Sequence, residues 1–407
     1  MNAGIAATTV AHRAVPAPFI WWSAASAISL AGSTAFGFAV TWYATGISAG
    51  LTGLVGVLIT LPTTALLLVG GAVADRVGVR RILLAGDTVM LLLSLLVVVV
   101  THAVSVQPWL LVLVAVVTGV EEAFYLPASG VVPRLFAIGD ALPRATALNS
   151  TLTQLARIAG PPCGAIAVAA IAFSGVAAVD GATFVLVLVV LLRIRPPYAP
   201  QTGATPGGLE ILRPFTTVWR TAQLRGVLVT TAVLASGVLP AVIYGPSLMA
   251  RESRWGPGAS GLIEVGWLVG GIGVTIVVAR RGASDRARVA VGVGLSMVAA
   301  GLSGMAMAPT PAVAFAAAVV LGVGVSVCTA HLFPAYLAAS PMDQLSRYQS
   351  LLVFVQMAAL LVATVVFTSV AETLGTRWSL GCCAAVMCVA LAWWVGSFRR
   401  TVERLST

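Results

Sequence analysis

Along this chain apolar residues run in long stretches, and polar residues gather in the short segments between them. A helix crossing about 30 Å of hydrocarbon needs roughly 20 apolar residues, because in lipid its backbone groups can be satisfied only by one another. Twelve stretches approach or exceed that length: 18–42, 51–73, 82–104, 108–131, 147–172, 176–193, 226–249, 258–279, 287–308, 312–334, 348–371 and 377–397. The pattern predicts an all-α membrane protein of twelve transmembrane helices. The first stretch has no small-residue cleavage site where a signal peptide needs one, so it reads as the first span.

Composition agrees with that picture. Only 9% of the residues are charged and 59% are hydrophobic, with a mean hydropathy of +1.01. A soluble domain carries about 25% charged residues, so soluble and disordered classes are excluded. The net charge of +10 comes from 23 arginines with no lysine. In a soluble protein such a balance points to nucleic acid, but here placement decides. With both termini cytoplasmic, 19 arginines fall inside, while Arg251, Arg254 and Arg377 lie outside and Arg157 lies within span five. The positive-inside rule accounts for the excess, which makes the lipid bilayer the partner and leaves no role for nucleic acid. The absence of lysine also rules out a phosphate-binding P-loop, so neither ATP nor another cofactor is expected. All five cysteines fall inside spans and read as packing residues. The histidines, His12, His102 and His331, are too scattered for a metal site.

The longest polar stretch, rich in proline and glycine, lies between spans six and seven. It divides the chain into a six-helix bundle over residues 1–193, a cytoplasmic linker over 194–225 and a second six-helix bundle over 226–407. Part of the linker, from Leu209 to Arg220, reads equally as an interfacial helix or as unstructured chain. The halves echo each other. Asp140, Leu142, Arg144 and Leu148 follow span four, and Asp343, Leu345, Arg347 and Leu351 follow span ten, both as D-x-L-x-R-x-x-x-L. A six-helix unit repeated in the same orientation is the arrangement of a transporter that rocks two bundles about a midplane site.

Between spans two and three the chain reads Gly71, Asp75, Arg76, Gly78, Arg80 and Arg81 in the spacing G-x-x-x-D-R-x-G-x-R-R. Gly71 permits close helix approach, Gly78 permits a tight turn, and Asp75 with Arg76 can bind helix ends and acids at a cytoplasmic gate. This motif resembles the signature of the major facilitator superfamily, and it sits where that family has it. Val79 stands where the family often has a further basic residue. Span five carries Gly160, Pro161, Pro162 and Gly164, similar to the G-P-x-x-G motif of the family's antiporters. The run from Pro133 to Ser150 is similar to its drug and siderophore efflux subfamily. In physical terms, Gly160 and Gly164 form a small-xxx-small surface and the prolines bend the helix. The resemblance implies the major facilitator fold, a monomer in the bacterial inner membrane, and export by proton antiport. The acid that the subfamily's exporters often carry in span one is replaced here by Ser33, which shifts any proton coupling to span four.

A charge within a membrane helix needs a partner or a task. Glu121 and Glu122 lie roughly 17 Å from the cytoplasmic end of span four, and Arg157 lies roughly 18 Å into span five, counted at the helical rise. An ion pair between the spans is expected. Adjacent residues point about 100° apart, so one glutamate should pair with Arg157 while the other faces a central cavity and carries a proton or balances a cationic substrate. Glu264, roughly 10 Å from the outer end of span eight, is a second protonation or substrate site or else a helix–helix hydrogen bond. Asp180 and Glu372, near outer span ends, read as solvated anchors. Trp21, Trp22, Trp42, Phe124, Tyr125 and Trp267 either line an amphipathic pocket suited to lipophilic cations or face lipid.

These features indicate a secondary active exporter of amphipathic small molecules, drugs or secondary metabolites, coupled to protons. The alternative is an exporter dedicated to one product such as a siderophore or a self-made antibiotic. An enzyme is not expected, because the outer loops are short and carry few catalytic side chains.

Overall fold

A computed structural model describes residues 15–139, 141–195, 197–198, 221–281, 286–340 and 345–406. The helices are α1 (Ala17–Thr45), α2 (Ala49–Val77), α3 (Val79–Ala103), α4 (Pro108–Phe136), α5 (Ala141–Arg193), α6 (Ala222–Ile243), α7 (Gly245–Glu252), α8 (Pro257–Arg281), α9 (Ala287–Met307), α10 (Pro311–Ala339), α11 (Leu345–Leu374) and α12 (Thr376–Ser406). No strand occurs among the described residues.

Eleven of these helices are long and apolar enough to cross a membrane. The 53-residue α5 is one of them, and it leaves helical geometry at Ala172 (φ 57°, ψ −175°). Its two parts, 141–171 and 173–193, correspond to the fifth and sixth predicted spans, so the described residues hold twelve candidate spans. The short α7 continues the seventh span beyond Tyr244.

The bend at Ala172 holds Phe173 in the interior, against Phe36 (ring centroids 5.5 Å) and Tyr43 (4.9 Å). That backbone region is nearly reserved for glycine and costs an L-residue roughly 1–3 kcal/mol. Ala172→Gly should therefore raise the thermal midpoint of the purified protein, a net gain of about 1 kcal/mol after glycine's larger entropy loss. A lower midpoint would show that the bend does not strain Ala172.

The chain forms two compact units, residues 15–43 with 58–198, and 44–57 with 221–406. The first unit has a buried core of Phe19, Trp22, Leu83, Val132, Phe136 and Leu191. Gly78, at φ 99°, makes the turn into α3, a conformation that glycine tolerates and other residues resist. The second unit packs Leu224, Met249, Ile263, Leu295, Leu321 and Tyr336. There the Tyr336 hydroxyl donates to the Tyr348 carbonyl at 3.0 Å. Glu252 accepts from the Thr376 amide (2.8 Å) and hydroxyl (2.6 Å), capping the start of α12. Glu372 accepts from the Gly50 amide at 2.7 Å in the first turn of α2. Both carboxylates sit where the unpaired amides of a helix start favour negative charge. Val99, Ile166, Val362 and Val389 are each about two-thirds exposed, forming part of an apolar surface that suits lipid.

Candidate functional site

In the first unit α2, α4 and α5 bring Glu122 together with two partners. Pro62 has no amide to give to Leu58, and Gly119 has no side chain, so α2 and α4 approach closely. A Cβ at Gly119 would stand 2.5 Å from the Ile59 oxygen and 2.8 Å from the Leu58 oxygen. At this crossing the Thr63 hydroxyl reaches the Ile59 carbonyl (2.8 Å), the Gly119 carbonyl (3.0 Å) and, at 3.5 Å, Glu122 Oε2. Arg157 attracts Glu122 electrostatically, although no direct ion pair joins them among the described residues. The Arg157 side chain is exposed within the protein surface, and Pro161 frees the Arg157 carbonyl from its helical partner.

Glu121 turns the other way, toward α3. Its Oε1 would stand 2.9 Å from a Cβ at Gly86, with Tyr125 Cδ2 at 3.1 Å. Next to Gly86 is Asp87, only 1% exposed, whose charge acts on both Glu121 and Tyr125. Sequence reasoning passed over Asp87, although an acid inside an apolar span was itself the available signal.

Asp180 corrects an expectation. It is fully buried and accepts from Ser33 (3.2 Å) and Ser94 (3.4 Å), so it is not a solvated anchor. The small residues around it explain this. A Cβ at Gly32 would stand 3.1 Å from Asp180 Oδ1, and one at Gly181 would stand 3.2 Å from the Ser94 Cβ. Asp180→Leu should therefore lower the thermal midpoint by the equivalent of roughly 2 kcal/mol, since two hydroxyls lose their acceptor. An unchanged midpoint would contradict this bonding. Glu372 remains exposed and serves the start of α2, as described above.

The span-five glycines make the contact between α5 and α1. A Cβ at Gly160 would meet the Thr34 side chain and come within 3.0 Å of the Ala31 oxygen. One at Gly164 would stand 2.5 Å from the Ala35 oxygen. In the loop motif, the Arg80 guanidinium donates to the Leu191 carbonyl (2.8 and 3.2 Å) and the Leu192 carbonyl (3.1 Å), tying the start of α3 to the end of α5. Arg76 and Arg81 are exposed. The surroundings of Gly71 and the Asp75 side chain lie outside the described residues, as do Asp140, Asp343 and the Arg347 side chain, so of the charged positions in the loop echo Arg144, which is exposed, is the one described.

In the second unit Glu264 is half-buried, and no hydrogen bond or ion pair to it is found among the described residues. One turn further along α8, Trp267 lines a cavity of about 320 Å³ together with Thr231, Thr329, Phe333, Gln356 and Met357. That size is at the lower end for small-molecule pockets, and the mixture of apolar wall with a few polar groups is typical of them. Of the other aromatic residues, Trp22 and Trp42 are buried and Trp21 is 68% exposed. No group of three or more His, Cys, Asp or Glu able to hold a metal occurs among the described residues.

The sequence model of the Major Facilitator Superfamily matches residues 22–359. Among solved structures, the nucleoside transporter NupG is 11% identical, covering 94% of this chain and 99% of its own, with a TM-score of 0.72. A bacterial homologue of the human lysosomal transporter Spinster, inward-facing and unoccupied, is 14% identical over 96% of this chain and 99% of its own (TM-score 0.70). A bacterial homologue of the iron transporter ferroportin, also inward-facing, is 15% identical over 93% and 98% (TM-score 0.68). At these identities the likeness is one of fold. None of the curated proteins matches the chain.

Proposed function

Because this chain belongs to the major facilitator superfamily, and is thus a multi-pass membrane transporter rather than an enzyme, we propose that it exports amphipathic small molecules by proton-coupled antiport. The observation that carries this reading is Glu122, a carboxylate held on α4 by Thr63 and attracted by Arg157 from α5. A proton on Glu122 would cancel that attraction, so loading and unloading it changes the force between two helices. The cavity with Trp267, Thr231, Thr329 and Gln356 supports a substrate with a large apolar body and few polar groups. Glu264, on the same helix one turn away, supports a cationic one.

In this reading the protein is a monomer in the bacterial inner membrane with both termini cytoplasmic, and it works by alternating access. Drugs and secondary metabolites of mixed polarity are the substrate class. The similar solved structures are a nucleoside transporter and bacterial homologues of a lysosomal and an iron transporter, a range too wide to narrow that class.

Accumulation of a fluorescent lipophilic cation in cells with and without the transporter tests the proposal. Expression should lower accumulation, and a protonophore should restore it. Lowered accumulation that ignores the protonophore would remove proton coupling. Unchanged accumulation at good expression would favour the dedicated exporter of one siderophore or antibiotic.

A further inference from the structure

Four acids lie within the spans of the first unit, Asp87, Glu121, Glu122 and Asp180, against one arginine, Arg157. Two of the acids are provided for: Glu122 by Thr63 and Arg157, and Asp180 by Ser33 and Ser94. Asp87 and Glu121 remain, adjacent across the α3–α4 contact and without a positive partner among the described residues. Like charges in a medium of low polarity are costly unless something of opposite sign lies between them.

Asp87 Oδ2 is buried with no hydrogen-bond partner among the described residues, and so are the hydroxyl oxygens of Ser23 and Ser26 on α1. Ser23 and Ser26 are three residues apart and therefore share a helix face. Tyr125 connects the two groups, since its hydroxyl lies close to both Ser26 and Asp87. Gly86 leaves room for Glu121 Oε1 and the Tyr125 ring beside the same stretch of α3. Buried polar atoms in folded proteins nearly always have partners, so the unpartnered Oδ2 of Asp87, on a residue whose charge acts on Glu121 and whose carboxylate meets Tyr125, calls for a ligand that accepts lone pairs.

We infer that the junction of α1, α3 and α4 is a binding site for a small monovalent cation, sodium, formed by oxygens of Asp87, Glu121, Tyr125 and Ser26, with Ser23 one turn away. A proton on Asp87 would neutralise that carboxylate alone, whereas a cation draws on carboxylate and hydroxyl lone pairs together. Hard oxygen ligands suit a hard ion. Calcium takes six to eight oxygens, commonly several carboxylates, and only two carboxylates are present here. The site is separate from the proton-carrying role proposed for Glu122.

The test uses the purified full-length protein at constant pH and ionic strength, with sodium, potassium, calcium or choline as chloride salts. Sodium should raise the thermal midpoint in a saturable way while choline does not, and radioactive sodium should bind. Asp87→Asn should weaken sodium binding at least tenfold, and Ser26→Ala severalfold; the latter removes one small hydroxyl and keeps the protein testable if Asp87→Asn fails to fold. Asp180→Asn, which removes a charge that acts on Glu121 from outside the site, should weaken sodium binding less than Asp87→Asn does. The inference is overturned by the absence of a saturable sodium effect in wild type, by tighter calcium than sodium binding, or by sodium binding unchanged in both site variants. Because binding is read directly, none of these outcomes depends on transport being proton-coupled.

Discussion

Glu122→Gln is expected to reduce efflux of a lipophilic cation at least tenfold at equal expression, and Glu121→Gln is expected to reduce it less. Glutamine keeps the volume of the side chain and an oxygen to accept from Thr63, so the α2–α4 crossing at Gly119 stays packed. What it loses is the charge that Arg157 attracts. The variant therefore mimics a transporter whose Glu122 is permanently protonated, and a cycle that needs the proton to leave stops there. A tenfold loss corresponds to about 1.4 kcal/mol, within the range of a charge interaction at intermediate dielectric.

Arg157 supplies the internal control. If Glu122 and Arg157 act as one unit, Glu122→Gln combined with Arg157→Gln should lose little beyond the worse single variant. Additive losses would mean that the two residues serve separate steps. Full, protonophore-sensitive efflux by Glu122→Gln would sink the coupling role, and attention would move to Glu121 and Glu264.

How much of this was legible in the sequence depends on the kind of interaction. The spans were readable because lipid demands continuous apolar runs, and the long α5 divides at Ala172 into the two spans expected at 147–172 and 176–193. Helical rise puts Glu122 and Arg157 at similar depths, but the expected ion pair between them is not found among the described residues, where Arg157 acts on Glu122 only electrostatically. Which of two adjacent glutamates faces α5 was not readable, because 100° per residue does not tell where the neighbouring helices stand. Asp180 was misread for a related reason. Distance from a span end suggests solvent, but Gly32 and Gly181 let α1 and α3 close over it. Asp87 needed knowledge of three helices at once: its setting depends on Gly86 admitting Glu121 and on Tyr125 reaching toward Ser26, contacts that no single stretch of sequence displays.

The second large effect concerns the surface on which α5 meets α1. Gly164→Leu should lower the thermal midpoint by roughly 5–10 °C and sharply reduce the folded yield, as expected for overpacking a tight contact by several carbons. Its Cβ alone would stand 2.5 Å from the Ala35 oxygen, 2.9 Å from the Ala35 Cα and 3.0 Å from the Phe38 Cβ. The first two are backbone atoms of α1, so no side-chain rotation relieves the clash and the helices must separate. Separation would also pull Gly160 away from Thr34, whose hydroxyl stands 3.5 Å from the Ala156 carbonyl, and would shift the segment that carries Arg157. Gly164→Ala should therefore fall between wild type and leucine in stability, and its loss of efflux should exceed what its folded yield explains. Cys163→Leu, one residue away but exposed, should be close to wild type in both measures. If Gly164→Leu matched wild type, the close approach of α5 to α1 would be wrong, and the glycines of this motif would need another reason to be there.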